Sequence, residues 1–238
     1  MAKKVLVLPA VDDSFLHNRD IFGDAIRYHE LSKYEAAEIG LIIFGGGVDV
    51  DPKYYKEPMC NYTQSPHKER DAIEFDIAKW GIANKIPMIG SCRGAQLLTV
   101  VNGGKLIQHV TGHTGGNHEM YTRYDETLTT NSYHHQMMFP WTSRKDFQIL
   151  AKASTKRSIH YLGGHNDSVF KQWGLPQEFV DSVFVEPEII WWPDTLCLCV
   201  QGHPEWMPKN SPMNQYINEE MERLMVPHVS KTGCEASV

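Results

Sequence analysis

The chain has 238 residues, 42% hydrophobic and 22% charged, with a formal net charge of −6. That is the composition of an ordinary globular protein with a sizeable core, read as one domain over residues 1–238 whose tail frays from about residue 227. The acidic balance and the lack of a basic block exclude a dedicated nucleic-acid or anionic-membrane surface, and no run approaches the roughly 18 apolar residues of a membrane span.

Lys3 and Lys4 precede only a short apolar run, Val5 to Leu8, which reads as a first strand and is too short for a signal-peptide core. The five cysteines are Cys60, Cys92, Cys197, Cys199 and Cys234. An odd count in a long chain with no signal predicts free thiols in a reducing cytoplasm. Ile21, Phe22, Ala25 and Ile26 fall at helical spacing and predict a helix from about Asp20 to Lys33. Leu41 to Phe44 reads as a buried strand, cut off by Gly45, Gly46 and Gly47. Three glycines are more than a turn requires and fit close approach of a ligand to the backbone. Lys68 to about Asn84 carries a helical stripe of Ile73, Ile77, Trp80 and Ala83.

Ile86 to Ile89 reads as the next strand. It breaks at Gly90, and after Cys92 and Gly94 a largely buried helix begins, ended by Gly103 and Gly104. A cysteine between two glycines on a strand-to-helix turn is presented at a sharp, strained apex. The new helix points free N–H groups and a partial positive charge at the sulfur, which favours the nucleophilic thiolate. Strands and helices alternate up to this point, so a parallel α/β sheet is predicted, with ligands at the carboxyl ends of its strands. Both the glycine run and Cys92 lie at such ends.

Beyond the elbow, Leu106 to Val110 reads as a short strand. Residues 120–125 and 127–132 read as an antiparallel pair, and 147–153 as a further strand. Residues 183–192 and 196–201 read as a second pair. Asn214 to Met225 reads as a final helix. A thiol nucleophile needs a base and the base an orienter. Among twelve histidines, His203 stands at a strand end, fixed by Pro204, with Glu205 two residues on. Cys, His and Glu in that order satisfy triad logic; spacing alone fits a plain strand-end histidine equally well.

Gly90 to Gln96, together with Gln201-Gly202-His203-Pro204-Glu205, resembles the class I glutamine amidotransferase superfamily, and most of all its γ-glutamyl hydrolase branch, peptidase family C26. Three more segments match in order: Gly45 to Pro52, Arg70-Asp71-Ala72-Ile73-Glu74, and Asn131-Ser132-Tyr133-His134-His135-Gln136. The resemblance implies a flavodoxin-like α/β fold, a mostly parallel central sheet flanked by helices, with a smaller antiparallel sheet. It implies that Cys92 attacks a γ-carbonyl, that His203 is the acid/base and that Glu205 is its partner. Backbone N–H groups of Arg93 and of Gly46 or Gly47 would form the oxyanion hole, while Gln96, Ser132, Tyr133, His134 and His135 would contact substrate. The substrate implied is glutamine or a small γ-glutamyl compound, with no cofactor.

Three positions depart from that family pattern: Gly45 in place of Pro, Ser91 in place of an aliphatic residue, and Gly202 in place of an aromatic one. His109, His113, His118, His134 and His135 have irregular spacing and no accompanying Cys pair, so no metal is expected. Three functions remain open on sequence: a self-contained γ-glutamyl hydrolase, a glutaminase feeding ammonia to a partner synthetase, and a catalytically silent binding module. Self-association is equally open.

Overall fold

The computed structural model describes residues 3–8 and 22–229. Asp12 and Asp13, which read from sequence as turn residues, and Cys234, one of the expected free thiols, lie outside them. The strand after the first loop, β3 (Ile39–Phe44), is buried along all six residues. Two-sided burial of that kind marks a strand with helices on both faces. Its side chains alternate between two cores. Ile42 and Phe44 join Leu6, Met88, Leu97, Leu98, Cys197 and Cys199 on one face. Leu41 and Ile43 join Val5, Val7, Ile89, Leu198 and Val200 on the other.

The main sheet has nine strands in the order β2-β1-β3-β4-β13-β12-β10-β7-β8. Its parallel half comprises β1 (Lys4–Val7), β2 (Asp24–Arg27), β3, β4 (Met88–Ser91) and β13 (Cys197–Val200). The strands β12 (Pro187–Trp192), β10 (Gln148–Ala153), β7 (Asn117–Thr122) and β8 (Thr127–Asn131) continue the same sheet antiparallel. Two separate antiparallel sheets have two strands each. One pairs β5 (Lys105–Ile107) with β9 (Met137–Phe139), the other β6 (His109–Val110) with β11 (Tyr161–Leu162). The expected α/β architecture is present, with half of the antiparallel strands among the described residues fused onto the central sheet.

Helices α1 (Lys68–Ala83) and α2 (Arg93–Val101) cover the first face. The second face is covered by the last helix of the chain, which packs Tyr216, Ile217, Met221 and Met225 against it. Between β10 and β12 the chain forms β11 and two short helices, α3 (Val169–Gln172) and α4 (Gln177–Ser182). These enclose a third small core around Phe139, Val169 and Phe184. The last helix, α5 (Pro212–Val229), runs past Pro227, two residues beyond where fraying was expected to begin.

Two local expectations need correction. The helix predicted from Asp20 is, over its described part, strand β2 followed by a 3-10 helix from Tyr28 to Lys33. Only Ile26 of β2 is buried, so the apolar spacing held no period that could separate a four-residue edge strand from a helix. In α1, Ile73 and Ala83 are exposed, and the buried face is made by Asp71, Glu74, Phe75, Ala78 and Gly81. Two of those five are carboxylates, which an apolar stripe cannot reveal.

Candidate active site

Three adjacent parallel strands each deliver one part of the site at their carboxyl ends. The glycine run follows β3, Cys92 follows β4, and His203 follows β13. The order β3-β4-β13 puts Cys92 on the middle strand.

Cys92 has φ 47° and ψ −108°, a conformation that L-residues rarely adopt and that costs about 1–3 kcal/mol. The strain is fixed from both sides. Cys92 N–H donates to the Val200 carbonyl at 2.8 Å, and the Cys92 carbonyl accepts from Gln96 N–H at 3.0 Å. A Cβ on Gly90 would stand 2.4 Å from the Gly94 carbonyl carbon, and one on Gly94 would stand 2.3 Å from the Phe44 carbonyl oxygen. Both flanking residues are therefore glycine because the helix start is pressed onto the strands. The apex is less open than the elbow pattern predicts: Cys92 is 6% exposed.

Pro204 opens a 3-10 helix, Pro204–Trp206, and that single turn folds the chain back onto His203. It sets Glu205 Oε1 2.8 Å from His203 Nδ1 and stacks the Trp206 indole flat on the imidazole, centroids 3.8 Å apart and 3° from parallel. The Cys92 side chain also acts on the imidazole, favouring its protonated form. Asn131 clamps the His203 backbone, accepting from its N–H and donating to its carbonyl, each at 2.7 Å. Burial penalises the His203 cation. The hydrogen bonds and charges of Cys92 and Glu205 outweigh that penalty, and its pKa is raised to about 9. The imidazolium is then the resting form at neutral pH, beside the sulfur.

The glycine run packs against the same ring. A Cβ on Gly46 would stand 2.7 Å from His203 Cε1, and one on Gly47 would stand 2.2 Å from Arg70 Nη1, at φ 151°. Arg70 Nη2 donates to the Gly45 carbonyl at 3.3 Å and to the Gly46 carbonyl at 2.9 Å. Its Nε donates to Glu74 Oε1 at 2.8 Å. Arg93, wholly buried, pairs with both Asp71 and Glu74. Asp71 in turn accepts from Asp51 N–H at 3.0 Å. The backbone N–H groups of Gly46, Gly47 and Arg93 donate to nothing within the described protein. They are open donors on the loop and at the helix start.

Residues 27–139 match the family model described as Peptidase C26. The chain is 38% identical over 71 residues to a glutamine amidotransferase-like protein of Rickettsia prowazekii, covering 30% of this chain and 25% of that one. It is 32% identical over 115 residues to a protein of Mycobacterium tuberculosis named as a glutamine amidotransferase, covering 40% and 37%. The matches thus span about a quarter to two fifths of the length of those relatives. A Thermoplasma acidophilum protein assigned to GMP synthase shares the fold, with a TM-score of 0.59 at 12% identity over 97% of this chain and 95% of that one. Over residues 27–139 the chain is thus similar to peptidase family C26, and to proteins named as glutamine amidotransferases.

The C26 match ends before His203 and Glu205, so their convergence on Cys92 is an observation of geometry alone. The five residues expected to contact substrate are not all equally placed for it. Gln96 is buried on α2, one turn from Cys92, and its Nε2 donates to the Gln136 carbonyl at 3.0 Å. Tyr133 is half exposed and packs edge-on against Trp206, centroids 5.4 Å apart. His135 Nε2 lies 3.0 Å from Asp49 Oδ1. Ser132 and His134 turn inward instead. Ser132 Oγ lies 3.0 Å from His113 Nδ1, and His134 donates from Nδ1–H to the Gln136 carbonyl, 2.8 Å away. Burial, then the nearby His113, lowers the His134 pKa well below its ordinary value.

Sequence reasoning gave no role to Trp206 or Arg70 in this amidotransferase-like site. Trp206 was visible only as the residue after Glu205. Arg70 lay in a recognised motif whose job emerges once the loop is seen. Gly202, unusual beside the family pattern, has a local reason: a Cβ there would stand 2.7 Å from Thr130 Oγ1. Cys197 and Cys199 are fully buried free thiols in the core, the Cys197 pKa pushed up by burial to about 11, as suits core filling. Trp191 and Trp192 are buried as well.

Proposed function

We propose that this chain is a cysteine-dependent hydrolase that cleaves the γ-amide or γ-glutamyl bond of glutamine or a small γ-glutamyl compound through a γ-glutamyl thioester. The observation that carries this reading is that Cys92 and a His203 imidazole paired with Glu205 at 2.8 Å follow neighbouring strands, with Cys92 acting on the pKa of that ring. Cys92 sulfur attacks the γ-carbonyl carbon, and the carbonyl oxygen becomes an oxyanion. The open N–H groups of Arg93, Gly46 and Gly47 suit that charge; one such donor is worth roughly 3–4 kcal/mol. The C–N bond then breaks, the amine leaving with the proton held by His203. A water attacks the thioester carbonyl, giving a proton to His203, and the C–S bond breaks to release glutamate and the thiolate. Glu205 holds the ring through Nδ1 and balances its charge in both halves. Gln96, Tyr133 and His135 remain the proposed substrate contacts, with Tyr133 the most accessible of them, while Ser132 and His134 turn inward. The four described cysteines are all free, which suits a cytoplasmic setting. Among the described residues no helix is long and apolar enough to cross a membrane.

The test is glutamate release from glutamine and from a series of γ-glutamyl amines, with wild type and Cys92→Ala side by side. Turnover by wild type alone, with loss in Cys92→Ala and an unchanged circular dichroism spectrum, is the expected outcome. Equal glutamate release by both proteins ends the nucleophile assignment. Glutamine hydrolysis that rises only with an added synthetase favours a glutaminase chain, the reading that the name of the fold neighbour brings up.

A further inference from the structure

Three histidines from separate stretches converge next to the candidate active site. His113 lies in the loop after β6, His118 on β7, and His134 in the loop after β8. The ring centroids of His113 and His118 are 5.3 Å apart, those of His113 and His134 4.7 Å. Glu186, just before β12, and Glu188, on β12, meet them, and all five side chains are buried. The cluster abuts the site through one dipeptide: Asn131 clamps His203 and Ser132 contacts His113.

Glu186 is fully engaged. It accepts from Arg157 N–H at 2.8 Å, Ser158 N–H at 2.8 Å and Tyr161 O–H at 2.7 Å, and meets His113 Nε2 at 3.0 Å. Glu186 already receives three hydrogen bonds and takes His113 Nε2–H as a fourth, which leaves Nδ1 as the atom that ring offers to a ligand. The one hydroxyl proton of Ser132 faces two acceptors there, His113 Nδ1 and the His113 carbonyl at 3.1 Å.

The rest of the cluster is short of partners. His118 Nε2 meets Glu188 Oε1 at 2.8 Å, yet His118 Nδ1, Glu188 Oε2 and His134 Nε2 are buried with no hydrogen-bond partner. Such atoms are rare in folded proteins, and three in one place call for an occupant. His113, His118 and Glu188 each offer one donor atom, all within 4.8 Å of one another. A tetrahedral ion with bonds of about 2.0–2.2 Å sets its ligands roughly 3.3–3.5 Å apart, within reach of small side-chain rotations. Two imidazoles and one carboxylate are a zinc-type donor set, and a carboxylate gripping the far N–H of a ligand histidine is its usual outer support.

We propose that His113, His118 and Glu188 bind one divalent cation of the zinc class, with Glu186 fixing the His113 ring from outside the coordination sphere. His134, with its unpartnered Nε2, is the side chain at hand for the fourth position. The irregular histidine spacing predicted no metal because the carboxylates lie 70 and 73 residues further along the chain from the histidines they meet.

The test uses Cys92→Ala protein throughout, so that the thiol of the candidate active site cannot hold the ion and the outcome does not depend on the catalytic reading. After equilibration with Zn2+ and dialysis, metal analysis is expected to give one equivalent per chain. His118→Asn and Glu188→Gln in that background are expected to give none. To separate loss of the site from poor folding of either variant, the unsubstituted background is also titrated with Co2+ and melted with Zn2+. A tetrahedral visible spectrum without a sulfur charge-transfer band is expected. A rise in melting temperature of about 5–10 °C near a hundredfold excess over Kd is expected too. No retained metal and no thermal shift in the Cys92→Ala protein, or a full equivalent kept by both further variants, overturns the proposal.

Discussion

Arg70 aims the glycine run without touching the sulfur. In a trans peptide the C=O and N–H groups point opposite ways. By drawing the Gly45 and Gly46 carbonyls toward its guanidinium, Arg70 turns the Gly46 and Gly47 N–H groups the other way. No cis peptide interrupts that geometry among the described residues. Arg70→Gln is therefore expected to lower kcat about tenfold to a hundredfold with KM little changed, read from steady-state glutamate release. An equal rise in KM with kcat intact would mean that Arg70 serves ground-state binding. His203 offers a second check at this scale. Its raised pKa draws on the Cys92 sulfur as well as Glu205. In Cys92→Ala its titration, followed by imidazole nitrogen NMR, is expected to fall from about 9 toward the ordinary histidine value. An unmoved titration would leave Glu205 as the whole cause. These residues differ in how well they could be foreseen. Cys92, His203 and Glu205 sit inside short local patterns, whereas the role of Arg70 depends on a loop 24 residues upstream.

At the scale of elements, α1 and α2 are joined by charge, which the apolar stripe read along α1 does not show. Arg93, Asp71, Glu74 and Arg70 form one ion network beneath the glycine loop. Breaking a buried pair leaves its partner charged and unsolvated. Arg93→Met is expected to lower unfolding free energy by about 3–5 kcal/mol, measured by urea denaturation. Arg93→Met combined with Asp71→Asn should recover part of that loss, since one of the stranded charges is gone. Failure to recover would place the cost in packing. The strands and helices around the elbow were legible because a continuous apolar run and glycine punctuation are local signals. The buried face of α1 was not, since its carboxylates are satisfied by a side chain 19 and 22 residues away. β2 escaped for the opposite reason, being too short and too exposed to carry a period.

For the molecule as a whole, the imidazolium links stability to pH. The folded-state pKa of His203, about 9, lies above the ordinary value of 6.5, so the folded form holds that proton more tightly. The resulting stabilisation is complete below about pH 6.5 and drains away as pH rises through about 9. The denaturation midpoint of the wild type is expected to decline across that window, and that of His203→Asn to decline less. Parallel curves would assign the decline to other groups. The same proton is needed by the leaving amine, so turnover is expected to fall on the same alkaline limb.

Neighbouring strands in any sheet stand about 4.8 Å apart, so β3, β4 and β13 act as a ruler for the loop, the sulfur and the imidazole. No individual side chain has to maintain that pitch. The connection between β10 and β12, with α3, α4 and β11, hangs from the antiparallel flank and packs in its own small core. Replacing that connection with another should therefore leave the pitch of the reacting groups where it is, because none of the three strands that set it belongs to the graft.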